Sequence, residues 1–367
     1  MRATRPRRLA LAFLLGLAAT ARAAAPAPAV EVRPGPAYIE RTRNSQAVNF
    51  DFLVSNSTGE ALRLRGIEVS VYDDSGRLQV RRSVNDNGNS PGIATVNRLR
   101  IGAGEKVLLF NPFHTFDDGI RLSSLAFRFD WRGEKSDRAV SSEATVAPVE
   151  YVPKAELRLP MRHRCLVWDG HDFYAHHRRF DYLSPYSVAS GTTSNVDRYG
   201  HDFVAVNEAG EMYSGDPANN ESWFGFGAPI HAAASGKVVA SFDGGLDNRE
   251  VDEVRYKSDK LADYGNYLVV DHGGGEFALY GHIRQGSALA HPGDTVERGQ
   301  HIADVGASGS SLMPHLHFQL QSGPDTSAEG LPSYFTRFTR VLGSRSVPVS
   351  AGPVDSGDFI EPSADPR

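Results

Sequence analysis

Short runs of alternating apolar and polar residues, punctuated by Gly, Asn, Asp and Pro, cover most of this chain, and helical spacing is scarce. Val48-Asn-Phe-Asp-Phe-Leu-Val54 alternates and is closed by the turn residues Asn56-Ser-Thr-Gly59. Leu62 to Tyr72, Lys106 to Phe110 and Leu125 to Trp131 continue the pattern, which predicts a small β-sandwich over residues 36–150. A polar, Pro-containing connection from Ser136 to Lys154 ends it. Further on, Gly265-Asn-Tyr-Leu-Val-Val-Asp-His272, the turn Gly273-Gly-Gly275 and Glu276 to Ile283 read as a β-hairpin. Pro229 to Phe242 reads as strand, turn and strand, and Asp243 to Asp263 as an exposed charged insertion. The fold class expected is mostly β: a sandwich, then an antiparallel sheet over 155–343. Residues 24–35 are expected to form a flexible leader and 344–367 a disordered tail.

The start of the chain has a different pattern. Arg2, Arg5, Arg7 and Arg8 precede an apolar run, Leu9 to Ala19, and Ala21-Arg22-Ala23 follows as an A-x-A site. Residues 1–23 therefore read as a secretory signal. No cysteine follows that site, so the expectation is a secreted or periplasmic chain with no lipid anchor, no membrane contact after processing, and a monomeric state. Loss of five arginines takes the formal net charge from −5 to −10, which argues against nucleic-acid binding. Cys165, the sole cysteine, cannot form an internal disulfide and reads as a small buried apolar residue.

Chemistry concentrates in the second half, which holds twelve of the thirteen histidines. In Pro314-His-Leu-His-Phe318, strand alternation sends His315 and His317 to one face and Leu316 and Phe318 to the other. Paired imidazoles on a sheet suit a metal taking nitrogen ligands, zinc above all. The Gly/Ser loop at 306–311 lacks the Lys-Ser/Thr of a phosphate cradle, and suits close approach of a peptide instead. A lipoyl-type carrier, suggested by Gly293 to Gln300, is excluded because no lysine occurs after Lys260.

Five segments in this order, Gly227 to Val239, Gly265 to His272, Leu279-Tyr-Gly-His282, Pro292 to Gln300 and Pro314 to Phe318, resemble the lysostaphin-type (LytM-type) zinc endopeptidases, secreted enzymes that cut peptidoglycan peptides. The resemblance covers residues 160–335 and none of the first 150. It implies a lysostaphin-type metallopeptidase domain, Zn2+ as cofactor and peptidoglycan peptides as partners. By it His317 is a zinc ligand, and His315 and His282 are the non-ligand catalytic histidines. The family's remaining ligands come from a His-x-x-x-Asp segment, and here the chain departs: Arg198 stands four residues before Asp202. A literal match, His177-Arg-Arg-Phe-Asp181, lies upstream in a poor strand context. The segment is read as split by an insertion, giving His177, Asp202 and His317 as the metal set, with His176 and Asp181 as the alternatives. His171 and His201 read as polar loop residues. No His-Glu-x-x-His helix supplies a carboxylate base, so the histidines are left to move the proton, with the division between His282 and His315 open. The implied reaction is peptide-bond hydrolysis by a zinc-activated water. The alternative is a metal-free relative that binds peptidoglycan or regulates an amidase.

Overall fold

The computed structural model describes residues 26–42 and 44–363, so the expected signal segment 1–23 lies outside the described residues. The chain is mostly β, as expected, and its described residues build two large hydrophobic cores beside smaller clusters. The first lies between two antiparallel sheets. One runs Ala139–Val146, Ser124–Gly133, Leu62–Tyr72, Leu78–Asn85; the other runs Ala29–Arg33, Asp51–Ser55, Lys106–Phe110. Alternation in Ser124–Gly133 turns Leu125, Phe127, Phe129 and Trp131 inward. Across the gap Phe52 meets Phe127 and Phe129 edge-on, with ring centroids 4.8 and 4.9 Å apart.

Two expectations are corrected here. The leader is not flexible throughout: Ala29–Arg33 pairs antiparallel with Asp51–Ser55, because Val30 and Val32 pack on the first core. Residues 344–363 are ordered. Arg345–Gly352 folds back on Phe335–Leu342 through a turn at Gly343 (φ 61°), and Phe359–Pro362 inserts between Phe335–Leu342 and Cys165–Asp169. Val354 and Ile360, each 1% exposed or less, anchor this stretch in the second core. Its sparse apolar residues among polar ones hid the strands.

The second core lines a long antiparallel sheet. Its strands run Thr295–Val296, Gly236–Phe242, Tyr267–Asp271, Phe277–Gly281, Leu316–Gln321, His201–Ala205, Cys165–Asp169, Phe359–Pro362, Phe335–Leu342 and Arg345–Gly352. Pro229–His231 leaves this sheet to pair with His301–Asp304, so the Pro229 to Phe242 unit divides between two sheets. The charged insertion carries a short helix at Glu253–Tyr256 and a 3-10 turn at Lys260–Tyr264, with Leu261 and Ala262 buried. Cys165 is buried, and burial pushes its thiol up to about 12.

Leu316–Gln321 sits mid-sheet with partners on both sides. Register sets His317 opposite Asp202 on one neighbour and opposite Gly281 on the other. Residues directly opposite in antiparallel strands project to the same face, so this pairing places a carboxylate beside an imidazole. Leu316 and Phe318 face the core, where Phe318 meets Tyr280 and Phe335.

Candidate metal centre

On the polar face of the sheet, His177, Asp202 and His317 converge, with one donor atom from each within 4.8 Å of the others. Asp202 Oδ1 lies 3.2 Å from His317 Nδ1 and 3.9 Å from His177 Nε2. His177 arrives on a loop, and the ring centroids of His177 and His317 are 4.7 Å apart. Gly200 makes room: a Cβ there would lie 3.1 Å from both His177 Nδ1 and His317 Cε1. Two nitrogens and one oxygen, nearly dry and on separate elements, form a donor set able to hold a divalent metal ion.

The ring orientation of His317 follows from a chain of amides. Its Nε2 lies 2.7 Å from Gln319 Oε1; Gln319 Nε2 donates to Gln321 Oε1 (2.5 Å), and Gln321 Nε2 donates to the Gly323 carbonyl (2.6 Å). A carbonyl oxygen only accepts, so every bond in the chain runs one way. His317 must donate from Nε2, which leaves its Nδ1 lone pair facing Asp202. Without a metal that nitrogen takes a proton: burial opposes the charge, but the Asp202 carboxylate raises His317 to about 9. Burial likewise opposes ionisation of Asp202, yet the surrounding histidines hold it well below its usual range.

His177 is set by Asp169, which sequence reasoning did not single out. Asp169 Oδ2 accepts the His177 backbone N–H (3.0 Å) and lies 2.8 Å from its Nδ1, while Oδ1 accepts the His176 N–H (3.0 Å). Burial works against charge on Asp169, but these imidazoles hold its carboxyl well below the ordinary range. His176 is exposed and reaches Asp169 (3.1 Å), whereas His177 reaches Asp202. Asp181 stands apart, capping the turn through Leu183 N–H and facing Arg98. The sequence signal for Gln319 existed, since alternation puts it on the His317 face; Asp169 had none, because only the fold brings its strand beside Asp202.

His282 and His315 flank the donors, with ring centroids 4.7 Å apart. His282 Nδ1 donates to the Ser308 carbonyl and His315 Nδ1 to the Met313 carbonyl, each at 2.7 Å. Neither ring uses Nε2 to hold itself in place, and His315 Nε2 is 3.3 Å from Asp202 Oδ1. Burial and the neighbouring histidines lower His282 well below the ordinary value, so it is neutral. Tyr264 also borders the site, its ring 5.0 Å from His317 and its hydroxyl bonded to Asp197.

The remaining histidines lie elsewhere. His201, one residue before Asp202, faces the opposite side against Phe203 and Phe335, and burial keeps it neutral. It is therefore a core residue and not the polar loop residue expected. His171 is buried against Glu40 (3.2 Å). Arg198, fully buried, reaches away toward Asp51 and Glu329.

The sequence model of Peptidase family M23 matches residues 224–328, a stretch that includes His282, His315 and His317 and excludes His177 and Asp202. Among curated relatives, the uncharacterized lipoprotein YgeR of Escherichia coli K12 is 25% identical over 58% of this chain and 64% of its own length. Lipoprotein NlpD of Yersinia enterocolitica is 30% identical over 26% of this chain and 78% of its own. Murein hydrolase activator EnvC of E. coli K12 is 37% identical over 26% of this chain and 18% of its own, so the chain spans well under two thirds of that relative. The catalytic domain of lysostaphin from Staphylococcus simulans aligns with 33% of this chain and 86% of its own at 25% identity, with a TM-score of 0.21, too low to carry a statement about the site. Two relatives are lipoproteins by name, which overturns the expectation of a secreted or periplasmic chain without a lipid anchor. Among the described residues no helix is long and apolar enough to cross a membrane.

Proposed function

The chain belongs to peptidase family M23, and on that premise we propose that it is a zinc metalloendopeptidase that hydrolyses peptide bonds in peptidoglycan stem peptides or cross-bridges. His177, Asp202 and His317 would hold the zinc; His282 and His315 would be the catalytic pair that does not. The convergence of those three donors, from positions 177, 202 and 317, is the observation that carries the reading. When bound, zinc supplies a Lewis acid that lowers the pKa of water toward neutrality and polarises a carbonyl.

The protein's own groups do the rest. His282, neutral and with its Nδ1 hydrogen committed to Ser308, offers Nε2 as a proton acceptor. His315 offers the same atom from the adjoining side, held by Met313. Whichever ring takes the proton from water becomes a donor at Nε2 and can then give a hydrogen bond to the oxyanion that forms on the peptide carbonyl. The leaving amine is protonated by whichever ring holds the proton.

A second reading, a metal-free activator of another hydrolase, is favoured by the match to EnvC, a murein hydrolase activator. The intact donor set weighs against it, since an activator has no need of a dry His, Asp, His cluster. Mass analysis of purified muropeptides incubated with the protein, with and without a chelator, separates the readings. Chelator-sensitive cleavage is expected. No cleavage with zinc-loaded protein, or cleavage that ignores the chelator, would overturn the proposal.

A further inference from the structure

The loop that carries His177 rests on the N-terminal sheets. Phe173, Phe180, Tyr182 and Leu183 pack with Leu108 and Phe110 from the first unit, and Phe173 stacks on His114 with ring centroids 3.8 Å apart. Beneath this contact, next in sequence to His177, Arg178 is fully buried and points into the N-terminal unit. Its Nε donates to Asn49 Oδ1 (2.8 Å), its Nη1 to both Asp51 carboxylate oxygens (3.1 Å each), and its Nη2 to the Phe50 carbonyl (3.2 Å). Arg198, which stands where the family's histidine is expected, donates to the same carboxylate through Nη1 (2.7 Å) and to Glu329 through Nε (2.8 Å). Asn195 closes the arrangement by donating to the carbonyls of His177 and Arg178 (3.0 and 3.2 Å).

We propose that Asp51 is a positioning residue for the metal centre: through Arg178 and Arg198 the N-terminal unit fixes the loop bearing His177, so that the site is completed by residues of both cores. This rests on the reading of His177 as a metal ligand. A guanidinium without exposure cannot leave its carboxylate without stranding a buried charge, so Arg178 has one place to go. The residue one peptide unit away then has little freedom, and a ligand on a loop needs that restriction if its nitrogen is to meet donors on strands. Arg198, four residues before Asp202, shares the Asp51 carboxylate with Arg178 and so helps to tie down the loop that supplies His177.

The test is zinc affinity of the full chain, measured by competition with a chromophoric chelator, for wild type, Asp51→Asn, Arg178→Lys, His177→Ala and Tyr151→Phe. Tyr151 donates to Glu276 at a different contact and serves as the control. Asp51→Asn and Arg178→Lys are expected to lose about tenfold or more in affinity with a native circular dichroism spectrum, and saturating zinc should restore one ion per chain. Tyr151→Phe should match wild type. Folded Asp51→Asn with wild-type affinity would overturn the inference alone. If Asp51→Asn does not fold, Arg178→Lys decides, since it keeps the charge and loses the bonds to Asn49 and Phe50; wild-type affinity there has the same force. A wild-type chain that takes up no zinc, or a His177→Ala chain that binds it undiminished, would overturn the metal reading and this inference with it.

Discussion

His317, within its strand, and His315, one residue before that strand begins, face the same Asp202 oxygen, and their surroundings differ. His317 has its Nε2 hydrogen taken by Gln319, so Nδ1 faces Asp202 and, on the proposed reading, the metal; His315 has its Nδ1 hydrogen taken by Met313, so Nε2, 3.3 Å from Asp202, is the atom proposed to meet the substrate. Replacing His317 by alanine should therefore abolish metal uptake. His315→Ala should keep the metal and lose turnover by about 10²–10⁴-fold, the usual contribution of a proton-transfer group. Elemental analysis beside a muropeptide assay checks both, and equal metal loss would show that the pair is misassigned. Gln319 holds the His317 ring and also bonds Gln321. Gln319→Leu frees the ring to turn over and should weaken zinc binding about 10–100-fold, readable by chelator competition. An unchanged constant would mean that Asp202 by itself orients the ring.

Among elements, the central strands were the most legible in the sequence and the marginal ones the least. His-x-His within an apolar alternation announced Leu316–Gln321, with His317 inside it and His315 just before it, and a triple glycine announced the hairpin of Tyr267–Asp271 with Phe277–Gly281. Ala29–Arg33 and the strands after Leu342 escaped because each offers only two or three apolar residues among polar ones. Such strands owe their order to the edge they join, which no local pattern records. Phe359–Pro362 matters to the site because it pairs with the strand ending at Asp169. Ile360→Ala should cost about 2–5 kcal/mol in urea unfolding, the range for a large buried aliphatic residue. A loss under about 1 kcal/mol would mean that the C-terminal strands only decorate the sheet.

For the molecule as a whole, His177 and Asp202 could be paired in the sequence only by likeness to a family motif, because the twenty-odd residues between them carry no signal that the loop returns. Asp51 was beyond sequence reading, since its role depends on which surface the second unit presents to the first. The same junction holds a second buried group, Glu40, whose Oε1 accepts from Tyr199 and Asn49 (2.9 Å each) and whose Oε2 faces His171. Burial raises Glu40 to about 8 and lowers His171 to about 3, so both are neutral at pH 7, and the Glu40 proton lies toward the imidazole. Glu40 ionises in the unfolded chain at its ordinary pKa of 4.5 but in the folded one only near 8. The unfolded state then binds fewer protons across that window, and stability must fall as pH rises through it. Over pH 6.5–8 the fall attributable to Glu40 is about 1.5 kcal/mol, offset in part near pH 6.5, where His171 is half protonated in the unfolded chain and neutral in the folded one. Thermal unfolding of wild type against Glu40→Gln should show a slope that the variant lacks; parallel curves would remove Glu40 as the cause. Asp51→Ala, which strands the Arg178 charge and half-strands that of Arg198, should cost about 3–5 kcal/mol, and a chain as stable as wild type in urea would contradict the clamp. The convergence of positions 177, 202 and 317 on one ion is tested most directly by anomalous diffraction at the zinc edge from zinc-loaded crystals. A single strong peak about 2.0–2.2 Å from a nitrogen of His177, an oxygen of Asp202 and Nδ1 of His317 is expected. A peak bound by His176 or Asp181, or no peak within reach of Asp202, would contradict it.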